Sequence, residues 1–180
     1  VAVAAGTIGI TINAGTSDLV ILRNLEVTGA GAANTTGIQL NNGRLIIKGS
    51  SLARLTTGLS VAANTKSDVV DTDMIGNGTG ISTTGEGSDP VGFFPPYGPT
   101  QVRISGGNVL DNTIAYFMND PGFLSGPGSS SKITIWAAGF ASPNQAGNGT
   151  LVSGTGPSCA IAQNCDRILY YQSVGQRNLN

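Results

Sequence analysis

Short runs of alternating apolar and polar residues recur along the chain, each bounded by Gly, Asn, Ser and Thr. Five apolar blocks stand out, at residues 19–27, 45–52, 69–75, 102–109 and 133–140. Four of them place apolar residues seven positions apart, in the pairs Val20/Val27, Leu45/Leu52, Val102/Val109 and Ile133/Phe140. Alternation with a period of two predicts strands with one inward and one outward face. No run shows the spacing of an amphipathic helix, so the pattern predicts an all-β repeat protein.

A second, shorter block follows most of the apolar blocks and enters through Thr and Gly, at residues 36–40, 57–61 and 79–83. Residues 7–12 and 112–117 are weaker copies of it. Few hairpin signals join these strands, which favours parallel stacking of each repeat on the next. Each coil would then bury its apolar side chains against the coils above and below.

Asn and Gly mark the predicted bends of each coil. The pairs at residues 42–43, 77–78 and 148–149 are all Asn-Gly, and we expect the chain to bend there through positive φ. Asn24, with Asp73 at the matching place, is predicted to form the tight bend between two strands of one coil, because Asn and Asp tolerate the left-handed conformation.

Residues 20–25, 34–38, 41–47 and 76–81 carry a family resemblance. In them the chain resembles the right-handed parallel β-helix proteins of the pectin-lyase-like type, over about residues 7–156. The resemblance implies an all-β fold, a right-handed parallel β-helix solenoid of about five to six coils. Adjacent coils of such a solenoid are about 4.8 Å apart. The repeat is specific for a fold and carries little information about activity.

Two segments interrupt the repeat, at residues 85–99 and 119–131, and both contain Pro, Gly and aromatic residues. Excursions of this kind often form the binding surface of a repeat protein. Beyond residue 157 the pattern is lost. We therefore predict a parallel β-helix at 1–156 and a C-terminal tail at 157–180, in which residues 168–171 cap the last coil.

The composition argues against several classes of partner and of chemistry. The net charge is −1 and the nine Lys and Arg residues are scattered along the chain, which argues against nucleic acid as a partner. Histidine is absent, which removes the usual general base and the commonest metal ligand. No apolar stretch is long enough to span a membrane, and no motif indicates a cofactor.

The two cysteines, Cys159 and Cys165, lie close together in the tail. We expect them to form a small disulfide loop, with two free thiols as the alternative, and their spacing fits no zinc motif. A disulfide implies an oxidising compartment. Together with the low charge and the first residue, Val1, it favours a mature secreted chain at an extracellular or cell-surface location, with a fragment of a longer chain as the alternative.

Asp71 and Asp73 are the candidate catalytic residues, since two carboxylates on one strand face can share acid and base roles. With Asp68 they are also a weak calcium candidate. The flanking coils offer no carboxylate at the matching places, and the Gly-His-Gly element of the pectin-degrading relatives is absent. The sequence therefore favours the interpretation that these acids are solvated at a strand edge, with no catalytic residue and no metal site.

Aromatic residues are the candidate contacts for a partner or a glycan. Those selected are Phe93, Phe94, Tyr97, Tyr116, Phe123 and Trp136. Exposed rings in loops can stack on sugars or fill a groove of a partner. The alternative is that the loops fold back over the solenoid and bury their own rings.

Three classes of function follow. The first is a non-catalytic structural protein, a filament, fibre or surface-layer subunit that self-associates through the solenoid ends and loops. The second is a carbohydrate-binding, adhesin-like or tail-spike-like module with a polysaccharide partner. The third is a polysaccharide lyase or hydrolase centred on Asp71 and Asp73. The sequence favours the first, because polar catalytic groups are scarce.

Overall fold

The structure is a computed structural model and describes residues 1–62, 65–84, 100–119, 131–137, 147–154 and 167–172. Its strands form three sheets. Sheet 1 contains β1 (Ala2–Val3), β4 (Glu26–Gly29), β7 (Ser51–Ala53), β10 (Asp73–Ile75) and β13 (Val109–Leu110). Sheet 2 contains β2 (Ile8–Asn13), β5 (Thr36–Asn42), β8 (Thr57–Val61), β11 (Thr79–Thr84), β14 (Ile114–Asn119) and β16 (Thr150–Gly154). Sheet 3 contains β3 (Leu19–Arg23), β6 (Arg44–Lys48), β9 (Lys66–Val70), β12 (Thr100–Ser105), β15 (Ser131–Ala137) and β17 (Arg167–Gln172).

From β1 to β15 the chain enters the three sheets in turn and stacks each strand on its equivalent in the preceding coil. Every strand pair in the described ranges is parallel. The prediction of an all-β fold of parallel strands in stacked coils, a β-solenoid, is confirmed. The apolar block at residues 45–52 lies in β6, the bend after it and β7, and contains no helix.

The seven-residue spacing of the apolar blocks has a simple origin. The first member of each pair lies in sheet 3, where Val20 and Leu45 are register partners. The second lies in sheet 1, where Val27 and Leu52 are register partners. The block therefore spans two strands and the bend between them, and both apolar positions point into the same core. Phe140, in the last pair, lies outside the described residues.

The core is a continuous apolar column bounded by the three sheets. Its largest fully buried side chains include Ile38, Leu52, Leu59, Met74 and Ile104. In β6 the exposed and buried positions alternate, with Leu45 and Ile47 inside. Burial of such side chains contributes roughly 1.5–3 kcal/mol each relative to exposure, so the alternation fixes the register of each strand.

Asparagines at the bend from sheet 1 to sheet 2 form a buried ladder of side-chain amides. Asn77 accepts the N–H of Leu55 at Oδ1 (3.0 Å) and donates from Nδ2 to the Leu52 carbonyl (3.0 Å). Asn112 does the same for Asn77 N–H and Met74 O, each at 3.0 Å. Each side-chain amide thus pairs with one carbonyl and one N–H of the bend in the preceding coil. The two backbone groups are three residues apart, and the two bonds fix the conformation of that bend.

The ladder continues one coil further. Asn148 accepts the N–H of Asn112 (3.0 Å) and donates to the Val109 carbonyl (2.7 Å). The expected positive φ lies one residue earlier than predicted at two of the Asn-Gly pairs: it belongs to Gly76 and Gly147, each preceding its Asn. At Asn42-Gly43 the prediction is confirmed, since Gly43 has φ +92°.

Among the described residues, two buried hydroxyl groups have no hydrogen-bond partner, those of Ser67 and Thr83. Thr83 takes the place that Val61 occupies in the preceding coil, so an apolar residue of the same shape suits the position. Thr65 is equally buried, but its hydroxyl donates to the Ala62 carbonyl at 2.6 Å. The two threonines therefore form a matched pair, one with its hydroxyl paired and one without.

We expect Thr83→Val to raise the free energy of unfolding by about 1 kcal/mol, because it removes an unpaired buried hydroxyl without changing the volume. Thr65→Val should lower it by a similar amount, because it breaks a hydrogen bond and leaves a carbonyl without that donor. Urea unfolding followed by circular dichroism measures both. Equal losses in the two variants would contradict the assignment.

Each interruption of the repeat falls, in sequence, between a strand of sheet 2 and the next strand, which belongs to sheet 3. Residues 85–99 join β11 to β12 and residues 120–130 join β14 to β15, so both connect sheet 2 to sheet 3. Residues 168–171, assigned from sequence to a capping tail, belong to β17. This strand pairs in parallel with β15 and is the last strand of sheet 3.

Candidate functional site

The two candidate catalytic acids do not lie on one strand. Asp71 follows β9 and occupies the bend before β10, with φ +44°, whereas Asp73 is the first residue of β10. The bend turns the chain from sheet 3 to sheet 1 between them. The prediction of two carboxylates on a single strand face is therefore wrong.

Asp71 belongs to a column of bend residues. Asn24 (φ +53°) and Gly49 (φ +58°) occupy the equivalent place in the preceding coils, and Gly106 (φ +67°) occupies it in the next. Asn24 is confirmed as a tight-bend residue, but its match is Asp71 and not Asp73. The left-handed conformation is tolerated best by Gly, Asn and Asp, which accounts for Asp71 without a catalytic role.

Asp73 has a structural partner. Its Oδ1 accepts two hydrogen bonds from Asn108, one from the backbone N–H (2.9 Å) and one from Nδ2 (2.7 Å). These bonds join neighbouring coils in register. A carboxylate held in this way serves the stacking of β13 on β10, and a general base at this position would have to give up those bonds.

The calcium candidate is not supported by the positions of the three acids. Asp68 lies in the middle of β9 with an outward position, Asp71 lies at the bend, and Asp73 lies on the next sheet. Among the described residues, no three His, Cys, Asp or Glu side chains come together as metal ligands.

Most of the candidate contact aromatics lie outside the described residues: Phe93, Phe94, Tyr97 and Phe123. Tyr116 is fully buried, in the sheet 2 column that contains Ile81. It is therefore a core residue, and its selection as a surface contact is wrong. Trp136 lies in β15, between register partners Ser105 of β12 and Tyr171 of β17. Cys159 and Cys165 also lie outside the described residues.

The register collects basic residues in the strands of sheet 3, although they are far apart in sequence. Strands of this sheet hold seven of the nine Lys and Arg residues: Arg23, Arg44, Lys48, Lys66, Arg103, Lys132 and Arg167. The other two are Arg54 and Arg177. The statement that the basic residues are scattered holds for the sequence only, because stacking brings together residues about one coil apart.

The outer side of sheet 3, formed by the outward positions of β3, β6, β9 and β12, is here called the basic face. Its cations lie in rows of register partners. Arg44 and Lys66 are partners on adjacent strands, and the next two strands continue the row with Gln101 and Lys132. Arg23 and Lys48 form a second row. The five cations of β3, β6, β9 and β12 are all exposed, and Asp68 is the one acidic residue in these four strands.

Aliphatic side chains lie between the cations of the basic face. Leu19 is 47% exposed and Ile21 is 45% exposed, both on β3. Ile46 and Val70, at outward positions on β6 and β9, are half-buried. On the first two strands the six outward positions are three cations and three aliphatic residues, with no acid and no neutral polar residue.

One end of the solenoid presents unpaired strand edges. In the described structure β1, β2 and β3 are the terminal strands of their sheets and each pairs on one side only. Coverage of the core positions in this coil is uneven, since Val3 and Ile12 are buried while other side chains are less well covered than those in the next coil. Ile10, Val20, Leu22 and Leu25 pack against the core and are only partly buried, whereas Leu45 and Ile47 are fully buried.

Comparison with protein-family models, with curated proteins and with solved structures found no match to the chain. Within the described ranges, no helix is long and apolar enough to cross a membrane. Two surfaces of the molecule bear on its function, the unpaired end and the basic face.

Proposed function

We propose that the protein is a non-catalytic structural subunit, a β-helix of the pectin-lyase-like type that acts outside the cell or at its surface by assembling end to end. The single observation that carries this proposal is the end formed by β1, β2 and β3. There three parallel strand edges coincide with an apolar core that is only partly covered.

The occupant of this end is a second copy of the chain. An unpaired parallel edge accepts another parallel strand in register, and each sheet offers such an edge at the same end. Val20 and Leu22 take the inward positions that Leu45 and Ile47 occupy in the next coil. A further coil stacked on them would bury these residues as completely as the inner coils bury theirs, and every square ångström of apolar surface removed from water contributes about 25 cal/mol.

Contact between one end of a copy and the opposite end of another is heterologous. A contact of this type, repeated without ring closure, generates an open filament. The acids first considered for catalysis are compatible with a structural role, since Asp71 fits a left-handed bend and Asp73 joins adjacent coils through Asn108.

The proposal predicts that the hydrodynamic size of the purified protein rises with concentration and that elongated particles are visible by negative-stain electron microscopy. Leu22→Lys should abolish the growth, because it places a charge at an inward position of the terminal coil. Ile21→Lys, the neighbouring substitution on the outward side of the same strand, is the matched control and should assemble as the wild type does.

A wild-type protein that stays monomeric over the whole accessible concentration range would refute the proposal, whatever the variants do. Far-ultraviolet circular dichroism checks that both variants remain folded. Assembly that survives in folded Leu22→Lys would place the contact elsewhere and would also overturn the proposed end.

A further inference from the structure

We propose that the basic face of sheet 3 binds the surface of a bilayer that contains anionic phospholipid. This goes beyond the proposed assembly, which uses the end of the solenoid and not its side. The face is presented by strands whose register is fixed by continuous parallel pairing from β3 to β17.

Charge complementarity is the first argument. The four strands β3, β6, β9 and β12 present five exposed cations against the single carboxylate of Asp68. The positions of Lys132 and Arg167 continue the same row on β15 and β17. A cluster of four to eight Lys and Arg residues is the composition that adsorbs to anionic lipid headgroups. Asp18 and Asp71 lie beside the face, at a loop and a bend, and not among its strand positions.

The dimensions of the array suit an extended planar surface. Rungs of the sheet are spaced by about 4.8 Å, and outward positions along one strand by about 7 Å. Six strands therefore span roughly 24 Å along the solenoid. Because the pairing of neighbouring strands fixes the backbone positions, binding would order side chains only, and little conformational entropy of the backbone would be lost.

The aliphatic residues decide between a bilayer and a soluble polyanion. Nucleic acid is bound through rows of cations that neutralise phosphates, and exposed aliphatic side chains between those cations would gain nothing from it. A bilayer surface interacts favourably with both the cationic and the aliphatic side chains. The cations pair with headgroups, while Leu19, Ile21 and Ile46 reach the boundary of the acyl region. The alternation of cations with aliphatic residues on β3 and β6 favours the bilayer.

The test is co-sedimentation of the wild-type protein with vesicles of equal parts phosphatidylglycerol and phosphatidylcholine, with vesicles of pure phosphatidylcholine as reference. We expect binding to the anionic vesicles that falls steeply as salt is raised. Lys48→Glu reverses one charge on the face and should lower the partition coefficient roughly 25-fold, since each charge near an anionic surface changes it roughly five-fold.

Arg54→Glu is the matched control. Arg54 is exposed at the bend from sheet 1 to sheet 2, and its reversal changes the net charge by the same amount away from the face. It should reduce vesicle binding far less than Lys48→Glu. Ile21→Asn should also reduce binding, while leaving the charge unchanged.

Three results would overturn the inference: no wild-type binding to anionic vesicles at low salt, equal losses in Lys48→Glu and Arg54→Glu, or unchanged binding of Ile21→Asn. Retention on heparin or DNA without vesicle binding would assign the face to a soluble polyanion and would likewise overturn it. Circular dichroism confirms the fold of each variant, so that a loss of binding reports on the surface.

Discussion

Replacing Asn112 by Leu lowers the free energy of unfolding by about 3 kcal/mol, the expected sum of two orphaned backbone groups. The substitution keeps an inward side chain of similar size but removes the amide. The N–H of Asn77 then loses its acceptor and the carbonyl of Met74 loses its donor. Both groups lie where water cannot replace the lost partner, since Asn77, Met74 and Asn112 are at most 3% exposed.

The effect acts on the coil that precedes the substituted residue. Asn112 holds the bend at residues 74–77, so hydrogen exchange of the Asn77 amide should accelerate first. The amide of Leu55 is held by Asn77 and not by Asn112, and its exchange should change only through the global loss of stability. Urea unfolding gives the free energy, and amide exchange measured by nuclear magnetic resonance gives the location.

Two variants of the same bend provide the comparison. Asn112→Asp retains an oxygen that can accept from Asn77 but loses the donor to Met74 and buries a charge, so we expect a loss at least as large at neutral pH. Thr113→Ala alters the exposed neighbour and should change stability by less than about 0.5 kcal/mol. Similar stabilities of Asn112→Leu and Thr113→Ala would show that the ladder contributes nothing.

The fold could be predicted from the sequence because its determinants are local. An apolar block that spans a strand, a bend of two or three residues and a second strand fixes the inward positions without knowledge of the neighbouring coil. The same reasoning could have found the ladder, since Asn77, Asn112 and Asn148 all precede a second block at the same offset. It could also have placed Tyr116 inside, because Tyr116 follows the inward position of Ile81 in its column.

What could not be predicted depends on register between coils. Asp71 and Asp73 are two residues apart and both suit a bend, so a shift of two positions moves the candidate from the bend to the strand. Only the pairing of β9 with β6 and β12 fixes Asp71 at the bend. The basic face could not be predicted for the same reason, since it depends on the register between coils. Its cations are separated by coils of unequal length, and the lengths of the connections at 85–99 and 120–130 hide their alignment.

Gly58→Ala tests how tightly the coils are stacked, and we expect it to lower the free energy of unfolding by about 3 kcal/mol, near the upper end for overpacking. A Cβ at Gly58 would lie 2.6 Å from the carbonyl oxygen of Gly80 in the next coil. The same approach recurs at Gly37, whose Cβ would lie 2.7 Å from the Gly58 carbonyl. The obstacle is the backbone of β11, a strand paired on both sides with β8 and β14, so it cannot move aside as a flexible side chain would.

Substitution of a second glycine, Gly31, distinguishes the penalty of this steric contact from the penalty of backbone strain. Gly31 has φ +74°, and a Cβ added there would meet no atom within 4 Å, so Gly31→Ala should show only the penalty of the left-handed conformation, about 1–2 kcal/mol. Gly58 has no positive φ, and its loss would come from the contact alone. Urea unfolding of the two variants compares the two penalties. A loss at Gly58 no larger than that at Gly31 would mean that adjacent coils can separate locally, and the solenoid would then be far more compliant than its continuous pairing implies.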